Sequence, residues 1–252
     1  MSRLPRRRSW LLLAAAAVAL LSLLPPAANY ARRYAFAEAL QFTVFATVVP
    51  ALLALGAPGR LPGLRRLVRG GVDRPGPAGS GFARGAVILL AFMGTVVAWR
   101  LPVSVDALAT RPGLAVAEMV TLAAAGTALW LELVEAPPLL PRLPRPLRAV
   151  FAAVAMWTIW ILAYILGFSQ AVWFRAYQHP PGLSPVADQE LATAVMWAVP
   201  ALCLAPVVFV TALTWLKDTE DPDEALRALV RGDRRRAGRW PRPPRGWNTH
   251  SA

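Results

Sequence analysis

The sequence predicts an all-α, polytopic membrane protein, a bundle of about six transmembrane helices with both termini in the cytoplasm. Hydrophobic residues make up 56% of the 252 residues and the mean hydropathy is +0.45, which is too apolar for an ordinary soluble domain. Apolar runs that can cross a bilayer recur along the chain, with basic residues between them. These two observations set the fold class.

The distribution of basic residues predicts the orientation. The segments that end on the amino-terminal side hold 22 Lys and Arg residues, whereas the opposite loops hold only five, Arg32, Arg33, Arg100, Arg111 and Arg175. The positive-inside rule therefore places both termini in the cytoplasm. Because the arginines lie between apolar runs rather than along one face, the net charge of +13 is a topology signal, and no nucleic-acid partner is expected.

The apolar runs follow one another from the amino terminus. The first, Trp10 to Leu24, fits an uncleaved helix or a signal peptide; Pro25 and Pro26 make a poor cleavage site, so we expect residues 1–28 to be retained. The other five runs cover about 34–55, 85–105, 114–134, 149–173 and 183–216. Residues 1–216 are thus predicted to form the bundle, and residues 217–252 a basic, Pro/Arg-rich cytoplasmic tail without fixed structure.

Several polar side chains share one predicted depth, near the extracytoplasmic ends of the second, fourth and sixth runs. Ionisable groups inside a membrane cost about 2.5–3.5 kcal/mol each, so they usually face the bundle interior or a wet cavity. We therefore expect an outward-facing cavity lined by Glu38, Gln41, Glu118, Met119, Asp188, Gln189 and Met196. Interfacial hydration and helix capping are the alternative roles for the acids.

Two further features of the runs yield expectations. Trp99 and Arg100 interrupt the third run and are predicted to lie at the membrane interface, with the guanidinium extending to water. In the sixth run Gln189, Met196 and Cys203 recur every seven residues, which places them on one helix face. We expect that face to pack against neighbouring helices.

The motifs that would carry catalysis are missing from the sequence. It contains no zinc-ligand spacing, glycine-rich phosphate loop or nucleophile elbow, so we predict no catalytic residues. His179 and His250 lie outside the apolar runs, which excludes a bis-histidine haem site in the bundle. Met196 and Cys203 are soft ligands that suit copper(I), but about 10.5 Å of helix separates them.

Three stretches resemble a known family. The segment LSPVADQELATAVMW at 183–197, with WLKDTEDPDEA at 215–225, resembles the last helix of the CtaG-like cytochrome c oxidase assembly proteins. VVPALLALGAP at 48–58 resembles another family segment, as does AEMVTLAAAGTALW at 117–130 with LPRPLR at 143–148. The resemblance implies a multi-pass protein of the bacterial plasma membrane, bound by lipid and by an oxidase subunit, which assists maturation of the oxidase copper centre. It also implies a chaperone rather than an enzyme.

The chain departs from the family at positions that matter for metal binding. Members of the family typically carry histidines early in the second and fourth helices, where this chain has Glu38, Phe42 and Met119. The resemblance implies copper as the cofactor, whereas the missing histidines favour the other form of the same function, a metal-free chaperone that holds an oxidase subunit. A small-solute or ion transporter that uses the outward-facing acids is the alternative from a different class.

Overall fold

A computed structural model describes residues 9–56, 80–135, 141–169, 171–218 and 227. Within these ranges the chain is helical, with connecting turns and no β-strand. The helices are α1 (Ser9–Leu23), α2 (Pro25–Arg33), α3 (Ala35–Thr43), α4 (Val49–Leu55), α5 (Ser80–Arg100), α6 (Pro102–Thr110), α7 (Pro112–Leu133), α8 (Arg145–Phe168) and α9 (Pro185–Asp218). A π-helical segment, Val44–Val48, joins α3 to α4, and a 3-10 turn, Arg175–Tyr177, precedes α9.

The helices include enough apolar spans to confirm a polytopic membrane bundle. Five segments are long and apolar enough to cross a membrane: Ala35–Leu55, Gly81–Arg100, Gly113–Leu133, Arg145–Phe168 and Pro185–Asp218. They are called here the second to sixth spans, and α1 with α2 makes the first if this pair, bent by 57°, is one span. The chain forms two compact units, Met1–Thr211, which holds the bundle, and Ala212–Ala252. Of the second unit only residues 212–218 and 227 are described, so the predicted tail lies almost wholly outside the described residues.

The second span is interrupted by the π-helical segment. Pro50 has no N–H to donate to the carbonyl of Ala46, and the N–H of Val49 bonds instead to the carbonyl of Val44, five residues back. Gly126 of α7 packs at this place, so closely that a Cβ atom there would lie 2.6 Å from the Ala46 oxygen. The missing side chain thus lets α7 approach the interrupted span.

Helix α7 lies at the centre of the packing. It contacts the second span along α3, the π-helical segment and α4, and it also packs against α5, α6 and α8. Its inward side chains, Met119, Leu122, Leu129, Trp130 and Leu133, belong to one continuous apolar core. Two predicted cavity residues, Glu118 and Met119, are therefore held on the most heavily packed helix.

Two predicted span boundaries are wrong. The third span ends at Arg100 rather than near 105, because Pro102 begins the separate helix α6. The fifth span covers Arg145–Phe168, so Trp173 lies in the connection that follows it. The expected exposure of Arg100 at the interface is wrong as well, since only 5% of this residue is exposed.

The connection between α8 and α9, called here the 171–184 loop, is held against the bundle by hydrogen bonds from two adjacent residues, Ala176 and Tyr177. The hydroxyl of Tyr177 donates to the carbonyl of Ala31 at 2.7 Å. The amide of Ala176 donates to Asp106 of α6 at 2.9 Å. These contacts hold the loop against α2 and α6.

Candidate functional site

The candidate site is built around the buried ion pair between Arg100 and Glu38. Arg100 is the last residue of α5, and Glu38 lies one turn into α3. The Nη1 atom of Arg100 lies 2.5 Å from the Oε2 atom of Glu38, and the two side chains are only 1% and 7% exposed. The guanidinium therefore turns into the bundle because a carboxylate from a neighbouring helix neutralises it there, which removes the reason for it to reach water.

Aromatic rings cover the guanidinium. The Arg100 Cζ atom lies 4.4 Å from the ring centroid of Phe42 and 5.9 Å from that of Phe174. Phe42 comes from α3 one turn beyond Glu38, and Phe174 comes from the 171–184 loop and is 2% exposed. Burial, and after it the charge of Glu38, raises the pKa of the nearby Tyr177 hydroxyl. The loop thus closes the site with apolar groups.

A second carboxyl group completes what we call the Arg100 cluster: Glu38, Arg100 and Glu118. Glu118 of α7 is 4% exposed and lies within electrostatic range of both other members. Four buried polar atoms of the cluster have no hydrogen-bond partner among the described residues: Glu38 Oε1, Arg100 Nε, Arg100 Nη2 and Glu118 Oε1. Such atoms are uncommon inside folded proteins, and they make this cluster the candidate functional site of the bundle.

Two of the other predicted cavity residues serve as hydrogen-bonding anchors. Asp188 accepts the backbone amides of Ala35 at 2.7 Å and Phe36 at 3.1 Å, so it caps the start of α3 from the start of α9. Gln41 donates to the carbonyl of Ser22 at 2.6 Å and joins α3 to α1. Both side chains have partners that account for them without a ligand.

The remaining predicted residues are buried in packing or hydrogen bonding. Gln189 accepts the amide of Trp173 and donates to the carbonyls of Leu166 and Ala171, which ties the 171–184 loop to α8 and α9. Met119 and Met196 are 6% and 0% exposed within the core. The predicted inward face of α9 is confirmed for Gln189 and Met196, and the structure does not gather all seven residues around one point.

Sequence reasoning missed Arg100, which is the centre of the site. Trp99 beside it suggested an interfacial pair, but the indole of Trp99 donates to Thr121 of α7 at 2.9 Å. One signal could have identified Arg100. Since successive spans alternate in direction, the end of the third span shares its depth with Glu38 and Glu118, where two buried carboxylates need a cation.

The metal-binding capacity of the described residues is small. No group of three or more His, Cys, Asp or Glu residues comes together within the described ranges. His179 lies exposed in the 171–184 loop, and His250 lies outside the described residues. The Cys203 thiol is half-buried.

Comparison with known proteins places the fold and the sequence stretches in one family. The model of the cytochrome c oxidase caa3 assembly factors, Caa3_CtaG, matches residues 1–218, which includes every described helix. No curated protein and no solved structure matches the chain. The predicted resemblance is confirmed, and nothing supports the transporter alternative. On the match over residues 1–218, the chain belongs to the cytochrome c oxidase caa3 assembly factor family.

Proposed function

We propose that this protein assists assembly of a caa3-type cytochrome c oxidase in a bacterial plasma membrane by holding an oxidase subunit, and that it neither catalyses a reaction nor keeps copper in its own bundle. The family match over residues 1–218 carries the oxidase partner. The multi-pass apolar helices support a membrane location. A helical bundle that offers neither a nucleophile elbow nor a phosphate loop fits a holding role better than a catalytic one.

The donor chemistry of the Arg100 cluster supports the metal-free form. Copper(I) prefers thiolate, thioether and imidazole ligands, whereas the cluster offers carboxylates. The Arg100 guanidinium already supplies the positive charge beside Glu38 and would repel a metal cation. The residues present therefore do not fit copper at this place, and we propose that any copper is delivered to the oxidase by another protein.

The holding role is tested by copper analysis and co-purification. We expect cells that lack the protein to assemble less oxidase, and a tagged copy that restores assembly to co-purify with an oxidase subunit at about one copy each. Copper should stay well below one atom per chain after purification without chelator. One tightly held copper per chain would replace this proposal with direct copper handling, and unchanged oxidase levels in the deletion would remove the function itself.

We further propose that the Arg100 cluster, which includes two of the seven predicted residues, Glu38 and Glu118, is the functional centre. Intramembrane ionisable groups are costly to keep and most often serve a function. Glu118→Gln should lower the amount of assembled oxidase without lowering the abundance of this protein. Glu132→Gln is the matched control, because it removes an equally buried carboxylate from the other end of α7. Full oxidase assembly in Glu118→Gln would make the cluster purely structural.

The proposed orientation keeps both termini in the cytoplasm, supported by the 22-to-5 distribution of basic residues. It places the Arg100 cluster near the extracytoplasmic surface. Reporter fusions after residue 70 and after residue 180 should give cytoplasmic and external signals respectively. The opposite pattern would move the cluster to the cytoplasmic side.

A further inference from the structure

The charges of the Arg100 cluster do not balance. Arg100 brings one positive charge, and Glu38 and Glu118 bring two carboxyl groups from two other helices, all three buried. A net negative charge among apolar side chains is strongly unfavourable, and a buried carboxyl without a partner takes up a proton instead. Among the described residues no other lysine or arginine forms an ion pair with either carboxyl group.

The geometry distinguishes the two carboxyl groups. Glu38 accepts the short charge-assisted hydrogen bond from Arg100, which stabilises its ionised form. Glu118 has no ion pair within the described ranges, and its Oε1 atom has no hydrogen-bond partner there. The ionised partner of Arg100 is therefore Glu38, and Glu118 is the group left to be neutral.

The surrounding elements reinforce this assignment. Tyr177 of the 171–184 loop interacts electrostatically with all three members of the cluster and with Asp188 of α9. Both carboxylate oxygens of Asp188 accept backbone amides, from Ala35 and Phe36, so Asp188 already has its hydrogen-bond partners away from Glu118. Tyr177 donates its hydroxyl hydrogen to the carbonyl of Ala31 and so supplies no proton to Glu118.

We propose that Glu118 is a proton-binding site, at which one proton and Arg100 together balance the charge of two carboxyl groups. The cluster is then neutral overall, with Glu38 as the ionised member. If Glu38 loses its charge, Glu118 releases its proton and becomes the counter-ion of Arg100. The proton site belongs to the isolated protein and does not depend on its role with the oxidase.

The proposal is tested by infrared difference spectroscopy on the full-length protein in phosphatidylcholine vesicles at neutral pH. The wild type should show the carbonyl band of a buried protonated carboxylic acid, which shifts in D2O. Glu118→Gln should remove this band. Glu38→Gln should remove it too, because Glu118 then ionises to pair with Arg100. Glu132→Gln should leave it unchanged, since Glu132 pairs with Arg84 at the far end of α5.

Each outcome decides the proposal. A wild type without the band, or a band that survives in Glu118→Gln, would show that Glu118 carries no proton. A band lost in Glu118→Gln but retained in Glu38→Gln would overturn the shared charge balance. Because these spectra need no oxidase, they separate the proton site from the proposed function: full oxidase assembly in Glu118→Gln would leave the proton site standing.

Discussion

Two arginine–glutamate pairs hold α5 near its opposite ends, and they differ in how far the arginine is exposed to solvent. Arg84 and Arg100 are 16 residues apart, or about 24 Å along the helix. The Arg84 side chain is 42% exposed and lies 3.0 Å from Glu132, whereas the Arg100 side chain is 1% exposed beside Glu38. Water can hydrate Arg84 if its partner is lost, but the protein alone must neutralise Arg100. The Arg84–Glu132 pair can therefore lose its carboxylate at little cost, whereas the Arg100–Glu38 pair requires the charges of its cluster to balance.

The largest expected effect comes from removing both counter-ions of Arg100. Glu38→Gln with Glu118→Gln should cost about 3–5 kcal/mol of unfolding free energy, because the buried guanidinium is left without a carboxylate. Each single variant should cost far less, since the other carboxyl can pair. Denaturant unfolding in detergent, with membrane abundance as a second measure, would show this.

The matched control is Glu132→Gln with Glu135→Gln, which removes the partners of Arg84 and Arg148. We expect a loss of about 1 kcal/mol per pair or less, because Glu135 and Arg84 reach solvent. Equal losses in the two double variants would end the distinction between the two ends of α5.

The fold could be predicted because hydropathy and charge distribution act on single segments of the chain. The span count and the shared depth of Glu38 and Glu118 follow from the cost of placing polar groups in a membrane. The inward turn of Arg100 could not be read from its own neighbourhood. A residue at a helix end can point to water or to the bundle, and the choice here depends on Glu38, 62 positions away.

The roles of Asp188 and Gln41 show the same limit. Both were predicted to line a cavity because of their predicted depth, whereas in the structure both bind backbone groups of other helices. Asp188 bonds to an amide 153 residues away, and no local pattern indicates that partner. Depth therefore predicts that a polar side chain needs a partner, whereas only tertiary packing decides which partner it has.

A hydrogen-bonding anchor at the same end, Asp188, should matter less than the charge balance of the Arg100 cluster. Asp188→Ala leaves the amides of Ala35 and Phe36 without their acceptor, and we expect a loss of about 2–3 kcal/mol in unfolding free energy. Glu190→Ala, two residues on and exposed, should change it by less than about 0.5 kcal/mol. An equal effect of the two changes would mean that the cap does not hold α3.

Two glycines of α7 show how much close packing alone contributes to stability, without any charge. Gly126→Ala places a Cβ atom 2.6 Å from both the Ala46 oxygen and the Cγ atom of Pro50, so we expect a cost of about 1–3 kcal/mol. Gly113→Ala, in the same helix, meets nothing within 4 Å and should be neutral or slightly stabilising. Thermal unfolding of both variants would measure the difference, and a stable Gly126→Ala protein would show that α7 can move away.

The smallest expected effect concerns Tyr177, which closes the Arg100 end from the 171–184 loop. Tyr177→Phe removes the hydrogen bond to Ala31 and should cost about 1 kcal/mol near neutral pH.

Burial raises the pKa of Tyr177 above its ordinary value of 10.0, so the folded protein keeps a proton that the unfolded chain releases. Stability from this group is therefore complete below about pH 10 and falls as the pH rises further, by up to about 1.4 kcal/mol per pH unit. The advantage of the wild type over Tyr177→Phe should shrink between pH 9 and pH 11, whereas the 53% exposed Tyr164, changed to Phe, should leave the pH profile of the wild type intact. Parallel declines of wild type and Tyr177→Phe over that range would show that the loop does not seal Tyr177 from solvent.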